Sequence, residues 1–210
     1  MAPSGQTDTQ TVLTDAGLDA AELRDVTLFE RLHPAIQRWW VSQFAEAADR
    51  SGGLFTAPQR AAIPAIADGQ HVLVCAPTGA GKTLAAFTSI LDELTRTAAA
   101  GELTDGVRCV YVSPLRSLAN DIDRNLQRPL DAIAAWADAD DADVEIRQAI
   151  RHGDTDTAER RAMVDQPPHI LNTTPESLAI LLHAPRLPEP LPSVRSVTVD
   201  EIHAVPDTQR

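Results

Sequence analysis

The chain has 210 residues, of which 43% are hydrophobic, enough for an ordinary buried core and against wholesale disorder. No apolar run reaches the length that a membrane-spanning helix needs, and the polar N-terminus lacks a secretory pattern, so a cytoplasmic protein is expected. Thirty acids against 18 bases leave a formal charge of −12, which argues against a broad electrostatic grip on nucleic acid and allows only a local one.

In chain order, residues 1–24 read as a loose leader rich in Thr, Asp, Gln and Ala. Leu28, Leu32, Ile36, Trp39, Trp40 and Phe44 share one helical face, with Pro34 starting or bending that segment. The spacing favours core over binding surface for the Trp pair. Ser51-Gly52-Gly53 is a turn, and Pro58 opens a short helix to Ala67. Strands and helices then alternate. The expected strands are His71–Ala76, Arg108–Ser113, Val144–Ile150, His169–Thr173 and Val194–Asp200. Between them come helices over Lys82–Ala100, Leu115–Ala137, Asp156–Val164 and Pro175–His183, the second with Leu118, Ile122, Leu126, Leu130 and Ile133 on one face. Ala137–Asp143 reads as a solvated acidic loop, and the four prolines of Pro185–Pro192 as another loop. Repeated β-then-α units predict an α/β fold, a mostly parallel sheet with helices on both faces. Cys75 and Cys109 are too few for a zinc site and sit in apolar runs, so both are expected as small buried core residues.

The charge is carried unevenly. Twenty of the acids are Asp, 17 of the bases are Arg, and Lys82 is the only lysine. Abundant carboxylates and scarce lysine suit a salt-adapted surface, the alternative being a purely compositional Asp bias. Arg is plainly available to this chain, so position 82 calls for an ammonium. It lies in Ala76-Pro77-Thr78-Gly79-Ala80-Gly81-Lys82-Thr83, after an expected strand and at the start of an expected helix. In that context Gly79 and Gly81 let backbone N–H groups of Thr78 to Thr83 face phosphate oxygens, and the helix start adds its dipole. Lys82 would neutralise the outer phosphates and the Thr83 hydroxyl would ligate Mg²⁺. An ordinary glycine-rich turn is the competing reading.

A second constellation ends the last strand: Val197-Thr198-Val199-Asp200-Glu201-Ile202-His203. Alone, an acidic pair there is usually a solvated corner. Combined with a phosphate loop it completes a nucleotide site, Asp200 holding Mg²⁺ and Glu201 orienting or deprotonating the attacking water.

Together these segments resemble motifs I and II of superfamily 2 helicases of the DEAD/DEAH-box type. Phe55-Thr56-Ala57-Pro58-Gln59 resembles their adenine-reading Q motif, and Tyr111-Val112-Ser113-Pro114-Leu115-Arg116-Ser117-Leu118-Ala119-Asn120-Asp121 their motif Ia. Gly153-Asp154-Thr155 and Thr173-Thr174-Pro175-Glu176-Ser177-Leu178 are similar to further family segments. The wording is most similar to the large helicase-related (Lhr) group. The resemblance runs from about Leu28 to the end. It implies a RecA-like P-loop fold over 71–210, preceded by a helical extension with the Q-like segment over 25–70. It implies ATP and Mg²⁺ as cofactors, Gln59 on the adenine edge, and His203 coupling the nucleotide site to later motifs. It implies DNA or RNA as partner, its backbone touched by Pro114, Arg116, Thr174 and Pro175; no membrane partner is expected, because no apolar run is long enough to span one. Helix starts bind phosphate without net positive charge, which eases the conflict with acidity. Arg116 alone also reads as a surface arginine, and Asn120 as a polar helix-surface residue.

The resemblance stops soon after His203. The family's motif III strand would insert between the strands of motifs I and II, and its second RecA-like domain carries the remaining motifs. The sheet is therefore expected to be incomplete at the C-terminal end, with a gap about one strand wide. Two expectations stand beside each other: the ATP-binding domain of a longer helicase, or a truncated remnant that binds ATP or nucleic acid weakly and is inactive alone. A different P-loop ATPase is the third, disfavoured by the segments at Pro114–Asp121 and Thr174–Leu178.

Overall fold

The computed structural model describes residues 20–51, 53–114, 126–135, 145–183 and 193–204. The chain forms two compact units, Met1–Asp92 and Glu93–Arg210.

The first unit is helical. α1 (Ala20–Arg31) begins inside the stretch read as leader, and α2 (Pro34–Ser51) starts at Pro34. Proline at a first helical position costs nothing, because its missing N–H would have no acceptor there. α3 (Ala57–Ala67) follows, then α4 (Lys82–Ala99), whose first residues belong to this unit. Leu28, Leu32, Ile36, Trp39 and Trp40 are buried, so the helical spacing does mark a core face. Trp40 stacks at a tilt on Phe55 with ring centroids 4.7 Å apart, and its indole Nε1 donates to Leu54 O at 3.3 Å. Buried Asp25 of α1 accepts Leu54 N–H at 2.6 Å and Phe55 N–H at 3.2 Å. It also receives Arg60 Nε at 2.5 Å and Nη2 at 3.0 Å, a forked charge-assisted pair. The turn before α3 is thereby pinned to α1.

The second unit is a parallel sheet. β1 (Cys109–Val112), β2 (Gln148–Arg151), β3 (Ile170–Thr173) and β4 (Ser196–Val199) stand in the order β2-β3-β1-β4. β1 pairs in register with both β3 and β4, Tyr111 opposite Asn172 and Thr198. α5 (Thr157–Asp165) joins β2 to β3 and α6 (Pro175–His183) joins β3 to β4. Residues 126–135 are also helical and bury Leu126, Leu130 and Ile133, three of the five residues expected on that face. Leu118 and Ile122 lie outside the described residues, as do the stretches expected as loops, Ala137–Asp143 and Pro185–Pro192. The central strands β1 and β3 are buried along their whole length, as strands covered on both faces must be. Val107, Val110, Val112, Leu171 and Leu181 form the core, with Met163 and Leu178 packed against it. The four-stranded parallel sheet with crossover helices is the expected α/β class.

Two expectations fail here. His71–Ala76 forms no strand: Val72 and Leu73 are 39% and 75% exposed, and Cys75 is exposed rather than a core residue. Apolar β-formers make a strand only when a neighbour takes up their N–H and C=O groups, and no described strand does so. β4 is likewise the edge of its sheet, with Val197 and Val199 60% and 45% exposed. Cys109 is the core residue expected, and burial pushes its thiol up to about 12.

Candidate nucleotide and nucleic-acid sites

The phosphate loop lies in the first unit. Gly79 and Gly81 both hold left-handed backbone, φ +79° and +80°. At Gly81 a second constraint acts: a Cβ there would meet Gln59 Nε2 at 2.3 Å. Only glycine satisfies both demands. Ala85 N–H donates to Gly81 O at 2.9 Å, so α4 starts directly from the loop. Thr78 and Gly79 are exposed, while Ala80, Gly81, Lys82 and Thr83 are half-buried. Lys82 Nζ donates to Ala76 O at 2.7 Å and Pro77 O at 3.0 Å, so the loop curls around its ammonium.

Gln59 is 3% exposed and joins two segments. Its Oε1 accepts Thr56 N–H at 2.8 Å, one half of a capping box that starts α3, and its Nε2 donates to Gly81 O at 3.3 Å. Thr56 Oγ1 donates to Ala80 O at 2.8 Å. The Q-like segment is thus fastened to the phosphate loop by two hydrogen bonds. Thr56 was missed as a site residue, although its spacing of three before Gln59 is a readable capping signal.

The second set lies at the carboxyl edge of the sheet, where open α/β sheets bind their ligands. Ser113 and Pro114 follow β1, His152 and Gly153 follow β2, Thr174 and Pro175 follow β3, and Asp200 and Glu201 follow β4. Asp200 Oδ1 accepts Glu201 N–H at 2.9 Å and Oδ2 accepts the Tyr111 hydroxyl at 2.5 Å. Glu201 has φ +45°, the left-handed region, and is the only non-glycine residue so placed among the described residues. Holding a side chain there costs about 1–2 kcal/mol. Strain of this kind collects at functional positions. His203 is 78% exposed with Nδ1 3.3 Å from Glu201 Oε2. No cluster of three or more metal-ligating side chains exists among the described residues. Mg²⁺ carried by a nucleotide takes one or two carboxylates and completes its shell with phosphates and water, a demand that the Asp200 carboxylate after β4 can meet. The donors present fit it.

Of the expected nucleic-acid contacts, Thr174 is buried and caps α6: its Oγ1 accepts Ser177 N–H at 3.4 Å and lies 3.2 Å from Ser177 Oγ. Pro175 opens that helix, and Pro114 is half-buried after β1. Arg116 and Asn120 lie outside the described residues. Beside these, Ser113 Oγ is buried without a hydrogen-bond partner. Arg151 has its guanidinium pKa lowered by burial and by Arg160.

A family model of DEAD/DEAH box helicases matches residues 56–210. The chain belongs to the DEAD/DEAH box helicase family. Within it the chain is 52% identical over 179 residues to the ATP-dependent helicase Lhr-Core of Methanothermobacter thermautotrophicus, covering 85% of this chain and 20% of that protein. It is 45% identical over 190 residues to Lhr-Core protein 2 of Thermococcus barophilus, covering 90% and 21%. Among solved structures it is similar to the Mycobacterium smegmatis helicase Lhr bound to ssDNA and AMP-PNP, with a TM-score of 0.71 and 40% identity, covering 85% of this chain and 21% of that one. The chain thus spans about a fifth of the length of each of these three proteins. That structural match places its sheet and helices as the RecA-like helicase core, the fold class expected from the sequence.

Proposed function

We propose that this chain is the ATP-binding portion of an Lhr-like helicase. In such a protein ATP hydrolysis would be coupled to translocation along, or unwinding of, a DNA or RNA strand. The observation that carries the reading is the phosphate loop: two left-handed glycines, a helix starting directly from it, and the chain's sole lysine at its centre.

Chain residues would act as follows. Lys82 Nζ exchanges the carbonyls of Ala76 and Pro77 for the outer phosphates, whose formal charge outcompetes neutral acceptors. Backbone N–H groups from Thr78 to Thr83 and the α4 dipole would hold the remaining oxygens. Gln59 would read the adenine edge with the N–H and lone pair not given to Gly81 and Thr56. Thr83 and Asp200 would hold Mg²⁺, which when bound would neutralise charge growing on the transferred phosphoryl group. Glu201 would accept the proton of the attacking water, and His203, in contact with Glu201, would pass the state of that step onward. Pro114, Thr174 and Pro175, at the carboxyl edge of the sheet, would meet the nucleic-acid backbone, and Arg116 would join them. In the longer protein a second RecA-like domain would close on the nucleotide. The acidic surface would serve solubility in concentrated salt, within a cytoplasm.

The test is Lys82→Ala in the longer protein. ATP turnover with single-stranded DNA or RNA present should fall by at least two orders of magnitude, about 3 kcal/mol of transition-state stabilisation. Near-normal turnover overturns the assignment.

A further inference from the structure

Tyr111 is the chain's only tyrosine and occupies the third position of β1. Its side chain is buried, at 1% exposure, in the middle of the sheet. Packing alone would be served by phenylalanine, which fills the same space without a polar atom. The hydroxyl therefore needs an account, since a buried phenol demands a partner. Its partner is Asp200 Oδ2, 2.5 Å away and 89 positions along the chain. That distance is at the short end of the range for an O–H···O hydrogen bond. The register explains why they meet: Tyr111 stands opposite Thr198, two residues before Asp200, and Asp200 N–H donates to Val112 O at 2.9 Å. The other oxygen, Oδ1, is taken by Glu201 N–H. The carboxylate is thus gripped on both oxygens, once from the neighbouring strand and once from its own loop.

We propose that Tyr111 is a positioning residue, whose phenol fixes the Asp200 carboxylate in the orientation that receives a divalent cation together with a nucleoside triphosphate. The inference rests on the reading of Asp200 as a cation ligand given above. It assigns Tyr111 no contact with nucleotide. Loss of the hydroxyl leaves the ring in the core and removes the hydrogen bond by which the neighbouring strand holds Asp200 Oδ2. Outer partners of metal ligands act through orientation, and losing one typically weakens metal binding about tenfold or more.

The experiment uses Tyr111→Phe in the 210-residue chain, with Mn²⁺ as the probe. Free Mn²⁺ is followed by electron paramagnetic resonance in the presence of a saturating non-hydrolysable ATP analogue. Mn²⁺ affinity should drop about tenfold. Analogue affinity without metal and the melting temperature should stay as in the wild type. A second measurement stands apart from any folding defect of the variant. Fluorotyrosine incorporated in place of tyrosine gives one fluorine signal, at position 111. Mn²⁺ with the analogue should broaden it, and Asp200→Asn should abolish the broadening. Equal Mn²⁺ affinity in wild type and Tyr111→Phe, or no broadening while Mn²⁺ is bound, overturns the positioning role and leaves the ATP-site reading standing. Failure of the wild type to bind Mn²⁺ with the analogue overturns both.

Discussion

The phosphate loop and the Asp200–Glu201 corner are both short, sharp turns at the end of an apolar run, yet they owe their shape to different things. The loop at Ala76–Thr83 is built locally. Its left-handed glycines, the start of α4 and the return of Lys82 to Ala76 and Pro77 all lie within eight residues. Thr56 and Gln59 attach to it from earlier in the chain. The acidic corner is built at long range. Asp200 is held by Tyr111 and Val112 across the sheet, and Glu201 stands in a strained conformation that nothing in its own side chain favours. A site half specified by backbone type survives in any context that starts the helix. A site half specified by sheet register exists only where the sheet does.

The two cysteines break that comparison most sharply, because each regional environment holds one. Cys75 is exposed just before the loop, and Cys109 is buried in β1 beside the strand that carries the corner. Burial raises the Cys109 thiol to about 12, so at pH 8 only about one molecule in ten thousand is thiolate there. A maleimide or disulfide reagent should label one thiol per native chain quickly and the second only on unfolding. The rates should differ by at least three orders of magnitude. Two fast thiols would mean that the sheet of the second unit opens readily.

Next in size is Gly81→Ala. Left-handed backbone costs an alanine about 1–2 kcal/mol, and its methyl would press on Gln59 Nε2 at 2.3 Å. Nucleotide affinity should fall more than tenfold while the second unit's Cys109 stays protected. Tight binding by this variant would show that the loop tolerates a different backbone path.

Glu201 offers the converse. Glu201→Gly removes the cost of φ +45° and should stabilise the protein by up to about 1 kcal/mol, because glycine adopts that region freely. Glu201→Gln keeps the backbone strain and the shape. In the longer protein both should bind Mg·ATP and lose hydrolysis, since only the proton-accepting step needs the carboxylate. Equal loss of binding and hydrolysis in Glu201→Gln would recast the residue as a cation holder.

What was legible in the sequence follows the same division. Elements with local signals came out within a residue or two: α3 behind Thr56 and Pro58, α5 behind the Asp156 cap, and α6 from Pro175 to His183. The phosphate loop was readable because glycine and lysine at fixed spacing are themselves the physics. The strand expected over His71–Ala76 misled, because apolar β-formers state a preference and only a partner makes a strand. Tyr111 was read only as the first residue of the segment similar to motif Ia, at the end of an expected strand. Its role depends on standing opposite Thr198, a register that no local pattern encodes.

The smallest effect expected is in pH. His169, at the start of β3, is buried beside Arg147, and burial, reinforced by that guanidinium, pushes its pKa down from 6.5 to about 4. Its Nδ1 accepts Arg147 N–H at 3.1 Å, so the folded state wants the neutral ring. The unfolded chain takes up a proton as pH falls through 6.5, while the folded chain does so only near 4. Between those values the unfolded state binds more protons, so stability rises with pH across this window and is flat above it with respect to this group. The loss on acidification should therefore begin near pH 6.5 and level off near pH 4. Urea midpoints of wild type and His169→Gln, compared from pH 4 to 8, isolate the term: the difference between them should shift in favour of the variant as pH falls. The shift should be read at Cys109 labelling and be absent from nucleotide binding at the loop, because His169 touches the sheet and not the phosphate site. A parallel change in both readouts would mean that the two units do not respond separately, and the division between local and long-range construction would lose its force.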